Sequence, residues 1–237
     1  MRIGSVVLFY EQFCLQSYNW EAKRPLGDLQ RVLDSLEEYQ CDEIAIIRPV
    51  RFNNNNYQSD VEHLKSVKTM TPISFGGGIR SVEHLMLLKG IPVERLVFSS
   101  SFLDKNKQLI GMATQLFGKQ AIQCLLPMVK NDDGVFVYRS DKENFIPINE
   151  IDLDFIEQHA NEIIVVDTQH EGLHDEFDWV LVDELGFAAE KLVVSGGVGY
   201  QTVKEAKKRN VASVLIDNKV LHKETSVIGY RNAATMS

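Results

Sequence analysis

The chain has 237 residues, 44% of them apolar, which suffices for one large core spanning residues 1–237 and does not call for two domains. With 25 Lys+Arg against 33 Asp+Glu the formal charge is −8, which argues against nucleic acid or an anionic membrane surface as the main partner, since both need a basic face. No apolar run approaches the roughly 20 residues of a spanning helix, and residues 1–5 run straight into an apolar strand without a signal-peptide layout, so a cytoplasmic protein is expected.

In chain order, the first apolar run is Val6-Val7-Leu8-Phe9. A helical stretch follows, with Leu29, Val32, Leu33 and Leu36 on one face. Strand-like runs then recur at residues 42–47, 73–75, 95–99, 124–127, 161–166, 193–195 and 213–217. Amphipathic stretches opening near Asp60, Ser81 and Thr202 lie between them, with Ser81 a good N-cap. The strand runs are β-branched and lack alternation, as expected of strands buried on both faces of a parallel sheet. Cys14, Cys41 and Cys124 lie far apart with no CxxC spacing and read as reduced thiols. The tail from Gly229 is too weakly patterned to predict a long final helix.

Four of these blocks recur in the same order after 118 to 120 residues. Residues 6–9 match 124–127, 42–47 match 161–166, and 95–99 match 213–217. Gly76-Gly77-Gly78 matches Gly196-Gly197-Val198 at an offset of 120. Eight strands alternating with about eight helices, written twice, predict a (β/α)8 TIM barrel built of half-barrels of about 1–118 and 119–237. An open doubly wound sheet is the alternative, but its halves would not repeat so regularly.

Barrel chemistry sits just beyond the C-terminal strand ends, expected near Phe9, Ile47, Phe75, Phe98, Leu126, Val166, Ser195 and Ile216. Gly76, Gly77, Gly78, Gly196 and Gly197 each follow a strand and precede a helix, where backbone amides can approach an anion. Ser99 and Ser100 follow the next strand of the first half, and Asn218 that of the second. Each half could clamp one phosphate, and the competing reading is that the glycines only turn the chain. Arg48 and Arg51 stand beside the mouth, either to attract an anionic substrate or to pair with local acids. The polar stretches 53–56 and 131–134 are either mobile lids or plain connections. His170-Glu171-Gly172-Leu173-His174 spells the HExxH zinc string, but its glycine and position after a strand favour a polar loop over a metal-binding helix. His63, His84 and His159 read as solvated positions on or near outer helices, and His222 is uninformative. No metal and no cofactor is expected.

The half-barrel repeat, GGGIRS after strand three and SGGVG after strand seven together resemble the histidine-biosynthesis barrel family. Its members are the phosphoribosyl-formimino isomerase and the cyclase subunit of imidazole glycerol phosphate synthase. The resemblance runs from Arg2 to about His222. It implies phosphate loops at Gly78, Ser99, Ser100, Gly172, Gly197 and Asn218. It also places the family's two essential aspartates, general acid and base at the ends of strands one and five, on Leu8 and Pro127, and a lysine on Gln16. Neither leucine nor proline can move a proton, and each such loss typically removes ~10²–10⁴-fold in rate. Glu11, Asp132 and Glu171 are the acids that remain as candidates.

At the opposite face the resemblance implies a ring of alternating charges, Arg2, Glu43, Arg95 and Glu162, guarding an ammonia entrance. Glu94 falls where the family contacts its glutaminase. The same residues could instead simply cap the barrel base. Three functions follow from the resemblance. One is a divergent cyclase-type subunit of a glutamine amidotransferase, fed by a glutaminase partner and acting on a phosphorylated small molecule, such as a nucleotide sugar aminated or amidinated for surface polysaccharide. The second is a true cyclase subunit of histidine biosynthesis. The third is a noncatalytic scaffold that activates a glutaminase.

Overall fold

The computed structural model describes residues 1–50, 56–217, 221 and 227–235. Arg51, Asn53, Asn54, Asn55, Asn218 and His222 therefore lie outside the described residues. The first half comprises β1 (Arg2–Tyr10), β2 (Phe13–Tyr18), β3 (Ala22–Asp28), α1 (Leu29–Glu38), β4 (Ile44–Ile47), α2 (Tyr57–Lys65), β5 (Ile73–Gly76), α3 (Val82–Leu88), β6 (Arg95–Phe98), α4 (Ser100–Leu103) and α5 (Lys107–Phe117). The second comprises β7 (Ile122–Asn131), β8 (Gly134–Arg139), β9 (Asn144–Pro147), α6 (Leu153–His159), β10 (Glu162–Asp167), α7 (Val180–Asp183), β11 (Leu192–Ser195), α8 (Tyr200–Lys208), β12 (Ser213–Ile216) and α9 (Val227–Thr235).

Eight of these strands are parallel neighbours in the order β1-β4-β5-β6-β7-β10-β11-β12. The ring closes where β12 pairs with β1, Arg2 opposite Ser213. This is the (β/α)8 barrel the periodicity predicts. Successive side chains alternate across the wall, so each strand feeds two cores. Phe9, Ile46, Phe75, Phe98, Leu126 and Ile216 face the helices and meet Leu33, Leu36, Leu64 and Leu85. Ala45, Ile47, Val97, Leu125, Ile164, Val166, Val193 and Leu215 form the inner core, with Val6, Leu8 and Trp20 packed against it. Asp28 caps α1 by accepting from the Gln30 and Arg31 amides, and Ser81 caps α3 by accepting from His84. Cys14, Cys41 and Cys124 are all buried free thiols.

Both β1 and β7 continue past the barrel rim into antiparallel hairpins, β1-β2-β3 and β7-β8-β9. The 131–134 stretch is thus a hairpin turn rather than a lid. Strand pairing also corrects the repeat by one residue. Ile47 pairs with Gly76 and Val166 with Ser195, so Gly77 corresponds to Gly196 and Gly78 to Gly197. Reading by identity aligned the glycines, whereas the barrel aligns the strands. At Gly77 (φ +92°) and Gly196 (φ +86°) a Cβ would collide with the carbonyl oxygens of Arg48 and Asp167, so only glycine fits where each loop crosses its neighbouring strand end.

The C-terminal segment does form a nine-residue helix, α9, despite its weak pattern. Tyr230 is fully buried, and Arg231 reaches back to the Gln40 carbonyl and the Asp42 carboxylate. Among the described residues no helix is long and apolar enough to cross a membrane.

Candidate functional site at the barrel mouth

A cavity of about 100 Å³ opens at the C-terminal mouth on the first-half side. Gly77, Gly78, Ile79 and Arg80 line it from the loop after β5, and Ser99 and Ser100 from the end of β6. Lys23 of the first hairpin adds a cation, and Asp141 of the second an anion. Burial works against the Asp141 carboxylate, but the hydrogen bond and charge of Arg139 hold it below the usual range. Among the described residues the buried Ser99 hydroxyl has no hydrogen-bond partner, which leaves it free to bond a ligand oxygen. Gly76 lies within β5, where its α-carbon faces Val97 across the wall, and it does not line the cavity.

Arg48 reinforces this loop from behind. Its Nε lies 2.8 Å from Asp60 Oδ2, its Nη1 donates to the Gly77 carbonyl at 3.0 Å, and its guanidinium sits 5.1 Å from the Tyr57 ring centre. Both side chains of the ion pair are fully buried. Arg48 thus does pair with a local acid, while still lining the cavity.

The corresponding cradle of the second half is furnished differently. Asp217 is the counterpart of Ser99, because Gly76 pairs with Val97 and Ser195 with Leu215. Its carboxylate accepts from the amides of Gly172 (2.6 Å), Gly197 (3.1 Å) and Val198 (3.4 Å). The Gly172 and Gly197 amides assigned to a phosphate by sequence are therefore engaged within the chain. Burial pushes the Asp217 pKa up to about 7, opposed by the Gly172 hydrogen bond and reinforced by the charge of Glu171.

Leu8 and Pro127 occupy one level of the barrel, paired with Ile47 and Val166 respectively, and no carboxylate stands at either position. Glu11 is exposed at the β1–β2 turn and accepts from Asn56 Nδ2 at 2.7 Å, so it is no part of the mouth. Asp132 is likewise exposed at the β7–β8 turn. Gln16 is buried and donates to the Asp217 carbonyl at 3.1 Å. Glu171 is the acid that reaches the inner cavity, which Leu8, Trp20, Ile47, Leu125, Val166 and Ser195 also line. It accepts from the Ser17 hydroxyl and from the Trp20 amide (2.7 Å), and its own carbonyl accepts from Asn19. Burial raises the pKa of Glu171, opposed by those two hydrogen bonds. Together these bonds fold the first hairpin across the mouth, with Trp20 between the inner and outer cavities.

The HExxH string forms no helix, and its side chains separate. His170 Nδ1 lies 2.7 Å from Asp167, Glu171 turns to Ser17, and His174 packs edge-on against Tyr200. Among the described residues no three His, Cys, Asp or Glu side chains gather as a metal set.

At the opposite end the four charges meet. Arg2 lies 3.0 Å from Glu43 and 2.6 Å from Glu162, and Arg95 lies 3.0 Å from Glu43 and 3.9 Å from Glu162. Burial alone would lower the pKa of Arg2, but the two carboxylates outweigh it and hold the pKa above its ordinary value. Gln123 donates to Glu162 at 2.8 Å and Ser213 to Glu43, two partners the sequence reading missed. Both point inward at the lowest layer, a position that strand phase alone could have flagged. Glu94 is exposed one residue before Arg95.

A closed, internally repeated (β/α)8 barrel with glycine loops at the mouth and a charge ring at the base defines the class. The family model described as histidine biosynthesis protein matches residues 15–226, and the chain belongs to that family. An isomerase of a doubly phosphoribosylated imidazole-4-carboxamide from Buchnera aphidicola is 27% identical, covering 83% of each chain. The imidazole glycerol phosphate synthase subunits HisF of Streptococcus mutans and Streptococcus sanguinis are 24% and 22% identical. The first match covers 73% of this chain and 71% of the relative, the second 83% and 80%.

Proposed function

We propose that the chain is a divergent cyclase-type subunit of a glutamine amidotransferase. It receives ammonia from a glutaminase docked on the face bearing Arg2, Glu43, Glu94, Arg95 and Glu162. It passes that ammonia along the apolar barrel interior to a phosphorylated acceptor anchored by Gly77, Gly78, Ser99 and Ser100. The observation that carries this reading is the four-membered ring of ion pairs at the base. Burying charges there is costly, and a fold needing only a plug would be served as well by apolar residues. Leu8 and Pro127 at the strand ends disfavour the acid–base chemistry of a histidine-pathway cyclase and favour another acceptor, such as a nucleotide sugar of surface-polysaccharide synthesis.

The test is capture of a glutaminase by the tagged chain from its source cells, followed by assay of glutamine hydrolysis with and without the chain. Capture and stimulation, weakened by Glu94→Lys, are expected. Failure to capture a glutaminase overturns the reading. Turnover of the phosphoribosyl histidine intermediate with ammonium alone would instead make the chain a working cyclase.

A further inference from the structure

The glycine loops after β5 and β11 correspond, Gly77 to Gly196 and Gly78 to Gly197, but the residue that follows the next strand differs in kind between the halves. In the first half, Ser99 directly follows β6, and its buried hydroxyl has no hydrogen-bond partner among the described residues and faces an open cavity. In the second, Asp217 directly follows β12 and places its carboxylate inside the cradle, bonded to three backbone amides. A carboxylate presents two anionic oxygens to a ring of N–H donors much as a phosphate presents its own, and such charge-assisted bonds are strong. Asp217 is 5% exposed and directly follows β12, whose Leu215 pairs with Ser195 of β11 and whose Ile216 pairs with Ser5 of β1, so the backbone leading into it is fixed on both sides. The Gln16 side chain donates to its carbonyl and pins it further.

We propose that Asp217 is a built-in anion that fills the second phosphate cradle, so that the barrel accepts ligands with one phosphate-bearing end and rejects two-ended bisphosphates. The incoming phosphate is held at Gly77, Gly78, Ser99 and Ser100, and here the proposal rests on the reading given above. Among the described residues the other end of the ligand meets the Asp217 carboxylate rather than an anion site. A second phosphate brought to Gly172 and Gly197 would find their amides taken and a carboxylate in its place, so repulsion adds to the loss of donors. Asp217 thereby sets the substrate class of the mouth without touching the reacting atoms.

The experiment counts phosphates. Calorimetric titration at about pH 8.5, where the Asp217 carboxyl is ionised, with inorganic phosphate and separately with a linear α,ω-bisphosphate, is run on the wild type, Asp217→Ser and Asp217→Asn, each shown by circular dichroism to be folded. Asp217→Ser gives the second half the residue type found in the first. The expectation is one phosphate for the wild type and two for Asp217→Ser, with the bisphosphate gaining at least tenfold in affinity over phosphate only in that variant. Asp217→Asn keeps an acceptor in the cradle and should stay at one. Two phosphates on the wild type, or no added phosphate on a folded Asp217→Ser, overturns the proposal. No phosphate on the wild type overturns the one-ended ligand together with the first-half anchor, and one phosphate gained by Asp217→Ser would then show that the carboxylate occupies an anion cradle and nothing more.

Discussion

The Ser17 hydroxyl donates to the Glu171 carboxylate across 154 residues of chain, joining the first hairpin to the loop after the sixth barrel strand. The same carboxylate accepts from the Trp20 amide, so one buried acid ties the hairpin to the barrel at two points.

Ser17→Ala removes one of the two donors to a desolvated carboxylate, at an expected loss of about 1–3 kcal/mol. In a Trp179→Phe background, which leaves Trp20 as the only tryptophan, fluorescence should shift to the red and proteolysis near Asn19 should quicken. Unchanged emission and cleavage would show that the hairpin is held by its apolar contacts alone.

Glu43 neutralises Arg2 and Arg95 together, and its side chain is 4% exposed. Glu43→Gln leaves two partly buried guanidiniums with Glu162 alone, and destabilisation on the order of 3 kcal/mol is expected from urea unfolding. Glu162→Gln should cost less, because Arg95 is 3.9 Å from Glu162 and both arginines keep Glu43. A reversed order would mean that the base is organised around Glu162.

Asp217 titrates near pH 7 when folded, against an aspartate value of about 3.9 in an unfolded chain. The folded state therefore binds more protons across this window. The contribution of this group is full below about pH 4 and is lost as pH rises to about 7. Asp217→Asn carries no such loss. The Tm difference, variant minus wild type, should grow from about pH 4 to about pH 7 and then level off. A difference independent of pH would place the carboxylate at its ordinary value.

Gly77→Ala and Gly196→Ala each combine positive φ with a collision against a carbonyl oxygen, and either should lower Tm far more than Gly90→Ala. Gly90 has φ +81° but nothing within 4 Å of an added Cβ, so its cost is the conformational one alone, about 1–2 kcal/mol. Similar losses at all three positions would remove the steric argument for the loop crossings.

The barrel was legible because its strands are continuous apolar runs and its helices keep one face. Leu29, Val32, Leu33 and Leu36 of α1 are buried as their spacing predicts. The hairpins were not legible. Phe13–Tyr18 has an exposed Phe13 and buried Gln16 and Ser17, the reverse of hydrophobic patterning, because the latter two are held by hydrogen bonds. Helix α9 is weakly signalled because the buried Val227, Tyr230 and Ala233 recur at intervals of three, and of the i+4 positions that widen an apolar stripe the partly buried Ala234 joins them. At the mouth, Gly77, Gly78, Gly196 and Gly197 lie in the loops as expected while Gly76 belongs to β5, but nothing in Ile216-Asp217-Asn218 distinguishes an acid that enters a cradle from one that faces water. That follows from strand phase and neighbouring amides, which pairing alone reveals.

The three buried thiols give the molecule its own set of opening reporters. Burial pushes Cys14 and Cys41 up to about 12 and Cys124 well above its ordinary value, so at neutral pH almost none is present as reactive thiolate. Cys14 lies in the first hairpin, Cys41 between α1 and β4, and Cys124 in β7. Alkylation at each sulfur then clocks a different event. One marks release of the hairpin, one parting of the first helix from its strand, and one rupture of the wall itself.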